Sequence, residues 1–441
     1  MQNSPFYIAR ELIMSSTERE RNCSQEKDCD PLSTKSKQVC LPINQEEYDR
    51  ILFDPTAFRS YLDSQIEQHP ELFPATIHQG YTLHDILPES KKVPGLRLRR
   101  IKVLAQDGGE EEVFTIRPSF VLPYMTGYTD DVEKALFLRR WSVPHWALVY
   151  VFGRDEQYWY RLEHRLGHNS LVGTTVKDPA KLPQDLLADE KHTRFNGQKA
   201  YIATTVADDC VLGASIVLGA DGDNLTEAYG HFKAEARNVA PDYEPQTVNT
   251  DGWTATHLAW QTLFPMITII LCFLHSFIKI RDRCKRMTDH YAAIKTQVWD
   301  AYHAPDADAF KQKIAELKTW AQQTVPAGAG LDAILKLCGK APELVKAYAY
   351  PSAYRTSNMV DRHMEPMSRY LHGCRYFHGH LMSAEYGCRA WALLHNFQPY
   401  CPRALVTKKH KSPAHKLNGF VYHDNWLHNL LISASMGGYR Q

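Results

Sequence analysis

The distribution of apolar and polar residues predicts an ordered series of strands and helices in the middle of the chain. Runs of apolar and β-branched residues between turn residues indicate strands, and apolar residues three or four positions apart indicate helices. The pattern predicts three strands at about 186–195, 198–207 and 211–219, then a helix at about 225–239 and a strand that ends at Asp251. A helix at about 257–264 and a last strand at about 267–273 follow. This segment is therefore expected to form an α/β unit.

Upstream, alternating apolar and polar residues predict a β-hairpin. Its strands are expected at 96–103 and 113–117, with a turn between them. The outward face of the first strand would carry Arg97, Arg99 and Lys102. We interpret these side chains either as a solvated strand face or as a contact to a DNA backbone.

Three consecutive helices are expected between residues 130 and 168. Helices at 131–140, 142–152 and 155–166, with a turn at Gly153, are typical of a helix-turn-helix, and a plain helical bundle is the alternative. The donors suited to phosphates and base edges are Arg154, Gln157, Arg161, His164 and Arg165. The packed side of the third helix is expected to consist of Tyr158, Trp159, Leu162 and Leu166.

Composition and charge narrow the class of protein. Apolar residues are 44% and charged residues 23% of the 441, as in globular proteins. The net charge of +1 provides no global field, so a nucleic-acid surface would need local clustering. The ten cysteines include no C-x-x-C pair, and we interpret them as free thiols in a reducing cytosol. The longest apolar run, 264–273, is shorter than the ~20 residues of a membrane span, and no signal peptide is expected.

Two acids stand out in the strand pattern. Asp189 lies on the first predicted strand and Asp251 ends the fourth. The element order is that of the RNase H-like fold, in which these two strands are neighbours, so the two carboxylates are expected to be close. Adjacent carboxylates repel each other unless a divalent cation lies between them, and oxygen ligands suit Mg²⁺ or Mn²⁺. The alternative is that Asp251 caps the following helix.

Four short motifs resemble those of DDE/D transposases of bacterial insertion sequences, with a Mutator-like layout. The motifs are Asp189-Glu-Lys-His192, Thr250-Asp251-Gly-Trp253, Cys272-Phe-Leu-His275 and Arg355-Thr-Ser-Asn-Met-Val-Asp361-Arg362. The resemblance covers about 180–400 and implies an RNase H-like catalytic core. It also implies that a third acid lies on a late helix, at Asp361. Glu365, one helical turn later, is the rival, although Pro366 is expected to bend the helix there.

The resemblance implies a function as well as a fold. The protein would cleave DNA at insertion-sequence ends and transfer strands, using two Mg²⁺ (or Mn²⁺) ions held by Asp189, Asp251 and Asp361. His275, at the end of the last strand, would lie beside the acids as a catalytic-site residue. The alternative is that His275 is a core residue. Cys272 is interpreted as a packing residue. The partners would be double-stranded DNA, as terminal inverted repeats and as target, and further copies of this chain. The alternatives are another RNase H-like nuclease and a non-catalytic, transposase-derived DNA-binding protein.

The expected fold class is α/β, with an RNase H-like core that contains an all-helical insertion. A mixed N-terminal region and a helix-turn-helix-like domain precede the core. Residues 1–45 are expected to be a disordered tail, 46–128 the α+β region and 129–180 the helix-turn-helix-like domain. The catalytic domain is expected at 181–400, with its insertion at 276–355, and a basic C-terminal segment at 401–441. The expected location is the bacterial cytoplasm, at the nucleoid. The turn acids Asp208, Asp209, Asp221 and Asp223 are interpreted as solvated, and residues 426–432 as packing on a partner element.

Overall fold

The computed structural model describes residues 36–104 and 111–439. They form a mixed α/β structure with two mixed sheets and many helices. The strands are β1 (Gln38–Leu41), β2 (Tyr81–Ile86), β3 (Arg99–Val103), β4 (Glu112–Pro118), β5 (Asp185–Phe195), β6 (Gln198–Ala207), β7 (Cys210–Val217), β8 (Thr247–Thr250) and β9 (Thr268–Leu271).

The α-helices connect and cover these sheets. They are α1 (Gln45–Ile51), α2 (Pro55–Gln68), α3 (Asp130–Arg140), α4 (His145–Phe152), α5 (Glu156–Leu166), α6 (Leu171–Thr175), α7 (Gly222–Val239), α8 (Thr254–Leu263), α9 (Phe273–Cys284), α10 (Thr288–Tyr302), α11 (Ala307–Thr324), α12 (Ala329–Gly339), α13 (Ala341–Leu344), α14 (Asn358–Gly373), α15 (Leu381–Phe397), α16 (Pro402–Leu405), α17 (Pro413–Asn418) and α18 (Trp426–Ser433). Within the described ranges, every helix is too short or too polar to cross a lipid bilayer.

The first sheet has the strand order β1-β4-β3-β2 and confirms the two antiparallel strands of the predicted hairpin, whose turn lies outside the described residues. β1 pairs in parallel with β4, although it lies in the stretch expected to be a disordered tail. Val39, Cys40 and Leu41 are fully buried, which explains why this short segment is held in the sheet. Residues 1–35 of the expected tail lie outside the described residues. The predicted exposure of Arg99 is wrong, because its guanidinium is buried and donates to the Leu52 carbonyl oxygen.

The second sheet has the order β7-β6-β5-β8-β9. β5, β6 and β7 form an antiparallel meander, while β8 lies parallel to both β5 and β9. The predicted sequence of strands and helices from β5 to β9 is therefore confirmed, with the fourth strand beside the first. Every residue of β7 is buried, because α7 and α15 both contact this edge strand. Edge strands covered in this way do not offer free backbone groups to other chains.

The three helices predicted between 130 and 168 are present as α3, α4 and α5. The Asp155 side chain accepts the Tyr158 N–H and begins α5. The predicted packed side is confirmed for Trp159, Leu162 and Leu166, which are buried. The second helix begins later than the predicted residue 142, because the φ of Ser142 is 69° and α4 begins only after Pro144.

The helices expected between 276 and 355 are also present, as the end of α9 and α10–α13. They share an apolar core of their own that extends from Phe273 to Leu344. Arg355 attaches this core to the segment that follows. Its guanidinium lies 4.6 Å from the ring centroid of Tyr302 and 4.4 Å from that of Tyr348, and it donates to the Tyr302 carbonyl and the Tyr348 hydroxyl. Arg355, the first residue of its motif, therefore has a structural role.

The end of the chain packs as expected. The α18 helix is buried against other elements of the chain, including β1, which confirms the packing predicted for residues 426–432. Three lysines of this basic segment are paired with carboxylates, because Lys408 and Lys416 contact Asp209 and Lys411 contacts Asp424. Asp209 is therefore not the solvated turn residue that was expected. Burial opposes ionisation of Asp209, but the lysines outweigh burial and lower its pKa.

Candidate functional site

Strand pairing positions the first two acids. In the parallel pair of β5 and β8, Asp185 lies opposite Thr247 and Leu187 opposite Asn249. Continuing this register by two residues brings Asp189 level with Asp251, which directly follows β8. Parallel strands place equivalent positions at the same height in a sheet, so residues distant in sequence become neighbours.

The electrostatics of Asp189 support this proximity. Burial is the main reason that its pKa rises to about 6, and the negative charge of Asp251 raises it further. Asp361 adds a smaller push in the same direction, while the Glu190 N–H and His275 oppose it. Asp189 Oδ1 accepts the Glu190 N–H at 2.9 Å. Three carboxyl groups and one imidazole therefore act on one another at this end of the sheet.

Asp251 is held by the turn that follows it. Its Oδ1 accepts the Trp253 N–H at 2.9 Å, whereas the residue at the N-cap of α8 is Trp253. Asp251 is therefore not the N-cap of α8. Its carboxylate stabilises the loop between β8 and α8 and not the first turn of the helix. Gly252 has a φ of 94°, and a Cβ there would lie 3.9 Å from Lys340 Nζ. A cation thus lies close to the turn that carries Asp251.

The two candidates for the third acid have different surroundings. Asp361 lies in the first turn of α14, where its Oδ2 accepts a hydrogen bond from Ser357 Oγ at 3.1 Å, and its charge acts on Asp189. Glu365 is 70% exposed and pairs with Arg369 at 2.9 Å. The expected bend is not seen as a break, since α14 continues through Pro366. The choice of Asp361 stays a prediction.

His275 lies at a different position from the one expected. β9 ends at Leu271 and α9 begins at Phe273, so His275 is in the first turn of a helix and not at the end of a strand. Its Nδ1 lies 3.4 Å from Ser357 Oγ. The hydrogen bond to Cys272 is the main reason that the pKa of His275 is raised, and the charges of Asp251 and Asp189 add to it. His275 is therefore polarised toward its cationic form beside the acids.

Ser357 connects these groups and was missed in the sequence. It accepts a hydrogen bond from the Cys272 thiol at 3.3 Å, and its own N–H donates to Cys272 Sγ at 3.2 Å. Burial raises the pKa of Cys272, but hydrogen bonds from His275 and Ser357 outweigh burial and lower it. Cys272 is thus more than packing. The available signal was the spacing of Ser357 and Asp361, which places both on one face of a helix.

Glu190 was also missed as a site residue. It alternates with Asp189 along β5 and so points to the opposite face of the sheet. Its Oε1 accepts hydrogen bonds from the Tyr229 hydroxyl and the Thr256 hydroxyl, each at 2.7 Å. Burial raises the pKa of Glu190 to about 7 despite these bonds. Glu190 ties α7 and α8 to the strand that carries Asp189.

The three acids have the ligand atoms that a divalent cation prefers, but their side chains are not arranged around one common ion. Carboxylate oxygens are the donors that Mg²⁺ and Mn²⁺ prefer. Among the described residues, Asp189, Asp251 and Asp361 have no basic side chain at ion-pair distance, and His275 and Lys340 act on Asp189 and Asp251 only at longer range. In residues 36–104 and 111–439, however, no three His, Cys, Asp or Glu side chains are arranged to hold one ion.

The residues predicted to bind DNA lie together at α5. Arg154, Arg161 and Arg165 line a cleft with a volume of about 530 Å³. The cleft also contains the carboxylates of Asp131 and Asp155, so its charge is mixed. Gln157 is exposed on the same helix.

The expectation for His164 is wrong. Its Nε2 lies 2.8 Å from the Ser383 carbonyl oxygen, and its ring packs against Tyr386 of α15. Burial lowers the pKa of His164, which favours the neutral ring in this contact. His164 therefore joins α5 to α15 within the protein and is not directed toward a DNA ligand.

No protein-family model and no curated protein matches this chain. The chemistry proposed for the site therefore rests on the strand order, the placement of the acids and the charges around them.

Proposed function

We propose that this protein is a DDE/D-type DNA transposase that cleaves DNA and transfers strands at the ends of an insertion sequence. The observation that carries the proposal is that Asp189 lies on β5 and Asp251 directly follows β8, the parallel neighbour of β5 in a sheet with the order β7-β6-β5-β8-β9. Asp361 reaches the same end of the sheet from a later helix. An RNase H-like core would have this strand order, with its acids at these points.

Asp189, Asp251 and Asp361 would hold two divalent cations, Mg²⁺ or Mn²⁺, which activate the attacking oxygen and stabilise the leaving oxygen. The raised pKa of Asp189 means that its carboxylate is less favoured than that of an exposed aspartate, and a cation bound beside it would favour the ionised form. His275, held by Cys272 and Ser357, lies where it would orient a phosphate oxygen or a carboxylate. The chain itself would mainly position the reacting groups.

The partner in this proposal is double-stranded DNA. The exposed side chains of Arg154, Gln157 and Arg161 would contact the element ends. Arg165 is partly buried in the same cleft and would contact the DNA from there. Further copies of the chain would bring two ends together. The site would act in the bacterial cytoplasm, at the nucleoid.

One observation favours a second candidate. The acids do not form a three-ligand centre as they stand, which fits a transposase-derived protein that binds DNA without cutting it. The two functions differ in a measurable way. The catalytic protein binds Mn²⁺ through its acids and cuts DNA, whereas the derived protein binds DNA alone. Another RNase H-like nuclease would cut DNA without joining it to a target.

The test uses DNA that flanks the gene of this protein as substrate. Asp189→Asn and Asp251→Asn should each abolish cleavage in Mg²⁺ and weaken Mn²⁺ binding, measured by electron paramagnetic resonance, while end binding stays nearly intact. Asp361→Asn should behave in the same way, and Glu365→Gln is its matched control one helical turn away. Cleavage at the wild-type rate in Asp189→Asn or Asp251→Asn would refute the assignment of these acids. Loss of cleavage in Glu365→Gln but not in Asp361→Asn would identify Glu365 as the third acid.

A further inference from the structure

A cationic cleft adjoins the candidate site on the side of the helical segment. Its volume is about 440 Å³, and α9 and α12 form its walls. Four basic side chains line it, namely Lys279, Arg283, Lys336 and Lys340, together with one carboxylate, that of Asp332. Four cations face one anion here, in a protein whose net charge is only +1.

These cations differ from the other basic groups nearby because they lack anionic partners. Within the described residues, none of the four has a carboxylate at ion-pair distance, whereas Arg281 and Lys285 both contact Asp282. Burial is the main cause of the lowered pKa of Lys340, the charges of Lys279 and Lys336 lower it further, and the charge of Asp251 opposes them. The four cations therefore outnumber the carboxylates near them, which favours the binding of a polyanion.

The cleft begins at the acids. Lys340 follows α12, and its Nζ lies 3.9 Å from the Cβ position of Gly252, next to Asp251. At the other end of the helix pair, Gly330 lies against Cys284. The two helices therefore run antiparallel, and the Lys340 end of α12 lies toward the start of α9, where His275 is located.

The spacing of the cations suits a linear chain of phosphates. Lys279 and Arg283 are four residues apart on α9, as are Lys336 and Lys340 around the end of α12. Four residues of helix span about 6 Å at 1.5 Å per residue. Phosphates of one DNA strand follow each other about every 3.4 Å along the duplex axis. For a duplex lying parallel to the two helices, each pair of cations would span roughly two nucleotide steps and could contact more than one phosphate.

We propose that the cleft between α9 and α12 binds the phosphate backbone of the DNA strand that the acids act on. This inference rests on the proposed function, since it assumes that DNA reaches Asp189 and Asp251. The strand would leave the acids past Gly252, contact Lys340 and Lys279, and continue one helical turn further to Lys336 and Arg283. The contacts are to phosphates, so they would be independent of base sequence.

The test measures DNA binding and not cleavage. The double variant Lys336→Ala/Lys340→Ala is compared with wild type by fluorescence anisotropy, using a labelled duplex over a series of salt concentrations without divalent cations. Two lost phosphate contacts should lower the slope of log K against log salt by about 1.8, at about 0.9 per contact. The matched control is Lys311→Ala/Lys313→Ala on α11, which removes the same charge from exposed lysines that already have carboxylate partners. It should leave the slope unchanged.

Three outcomes overturn the inference. They are an unchanged slope in Lys336→Ala/Lys340→Ala, an equal loss in the α11 control, and displacement of the duplex by inorganic phosphate at constant ionic strength, which would make the cleft a site for a free anion. A cleavage assay in Mg²⁺ tests the proposed function separately. If that function is wrong, the wild-type protein would bind the duplex through this cleft but would not cut DNA in Mg²⁺. A second readout covers misfolding. A phosphorothioate is placed at successive positions and joined to the thiol of the Lys336→Cys variant by a bis-bromoacetamide linker, in which each sulfur displaces one bromide. Crosslinking is expected at positions close to the cut and not at positions far from it.

Discussion

The burial of Asp189 leads to a prediction about stability without metal. The pKa of Asp189 is raised from 3.8 to about 6, first by burial and then by the charge of Asp251. Its ionised form is therefore disfavoured in the folded protein. Asp189→Asn keeps the size of the side chain and removes the charge, so in metal-free buffer at neutral pH the variant should be more stable than wild type.

The magnitude follows from the pKa shift. A shift of about 2 units corresponds to about 3 kcal/mol at 1.36 kcal/mol per unit. Because the folded pKa lies above the unfolded one, the protonated carboxyl group favours the folded state. This contribution is present in full below pH 3.8 and is lost as the pH rises through about 6. Partial access of solvent makes about 3 kcal/mol an upper bound on the gain in Asp189→Asn.

The assay is urea unfolding of wild type and variant at a series of pH values from 4 to 8, with EDTA present. The difference in the free energy of unfolding should be near zero at the acidic end and should grow toward neutral pH. Asp308→Asn on α11 is the control, since its carboxylate is 93% exposed and should show no such growth. Adding Mg²⁺ should stabilise wild type more than Asp189→Asn, because only wild type keeps the carboxylate ligand.

Two results would contradict this reasoning. If Asp189→Asn were less stable than wild type at neutral pH without metal, the carboxylate would be stabilised by partners other than those described. If the difference did not change with pH, the two proteins would differ by packing and not by the titration of Asp189. The titration of Glu190, whose pKa is raised to about 7 mainly by burial, contributes to both proteins and largely cancels in the difference.

Two further predictions concern the α5 region. Arg161→Ala should weaken binding to the element end by about 1–3 kcal/mol more than binding to random DNA if this side chain reads a base, and an equal loss on both would identify a phosphate contact. Glu163→Gln should destabilise the protein by about 3–5 kcal/mol in urea unfolding, because it leaves the buried Arg139 guanidinium without its carboxylate. A loss below 1 kcal/mol would mean that water or another group compensates Arg139.

Local periodicity determined much of the secondary structure. The strands from β5 to β7 were predicted because apolar runs alternate with turn residues, and the buried side of α5 was predicted from residues three and four positions apart. The same local pattern predicted Asp251 at the end of a strand, one residue beyond the last residue of β8. These features depend on neighbours within one element, so they can be derived from the sequence.

Contacts between distant segments decided what periodicity could not. Arg99 looked exposed by alternation, yet it is buried because the Leu52 carbonyl meets it from another element. Asp209 looked like a solvated turn residue until Lys408 and Lys416 were brought to it. Such pairings depend on the path of the whole chain, which a local pattern does not contain.

The candidate site combines both kinds of information. The sequence by itself determined which residues carry the carboxyl and imidazole groups and on which elements they lie. Only the tertiary structure decided that Ser357 links Cys272, His275 and Asp361, and that a helix pair from the insertion brings Lys340 to the turn after Asp251. The physical reason is range: a helical or strand period acts over a few residues, whereas charges and hydrogen bonds in a site act over a few ångströms between residues far apart in the chain.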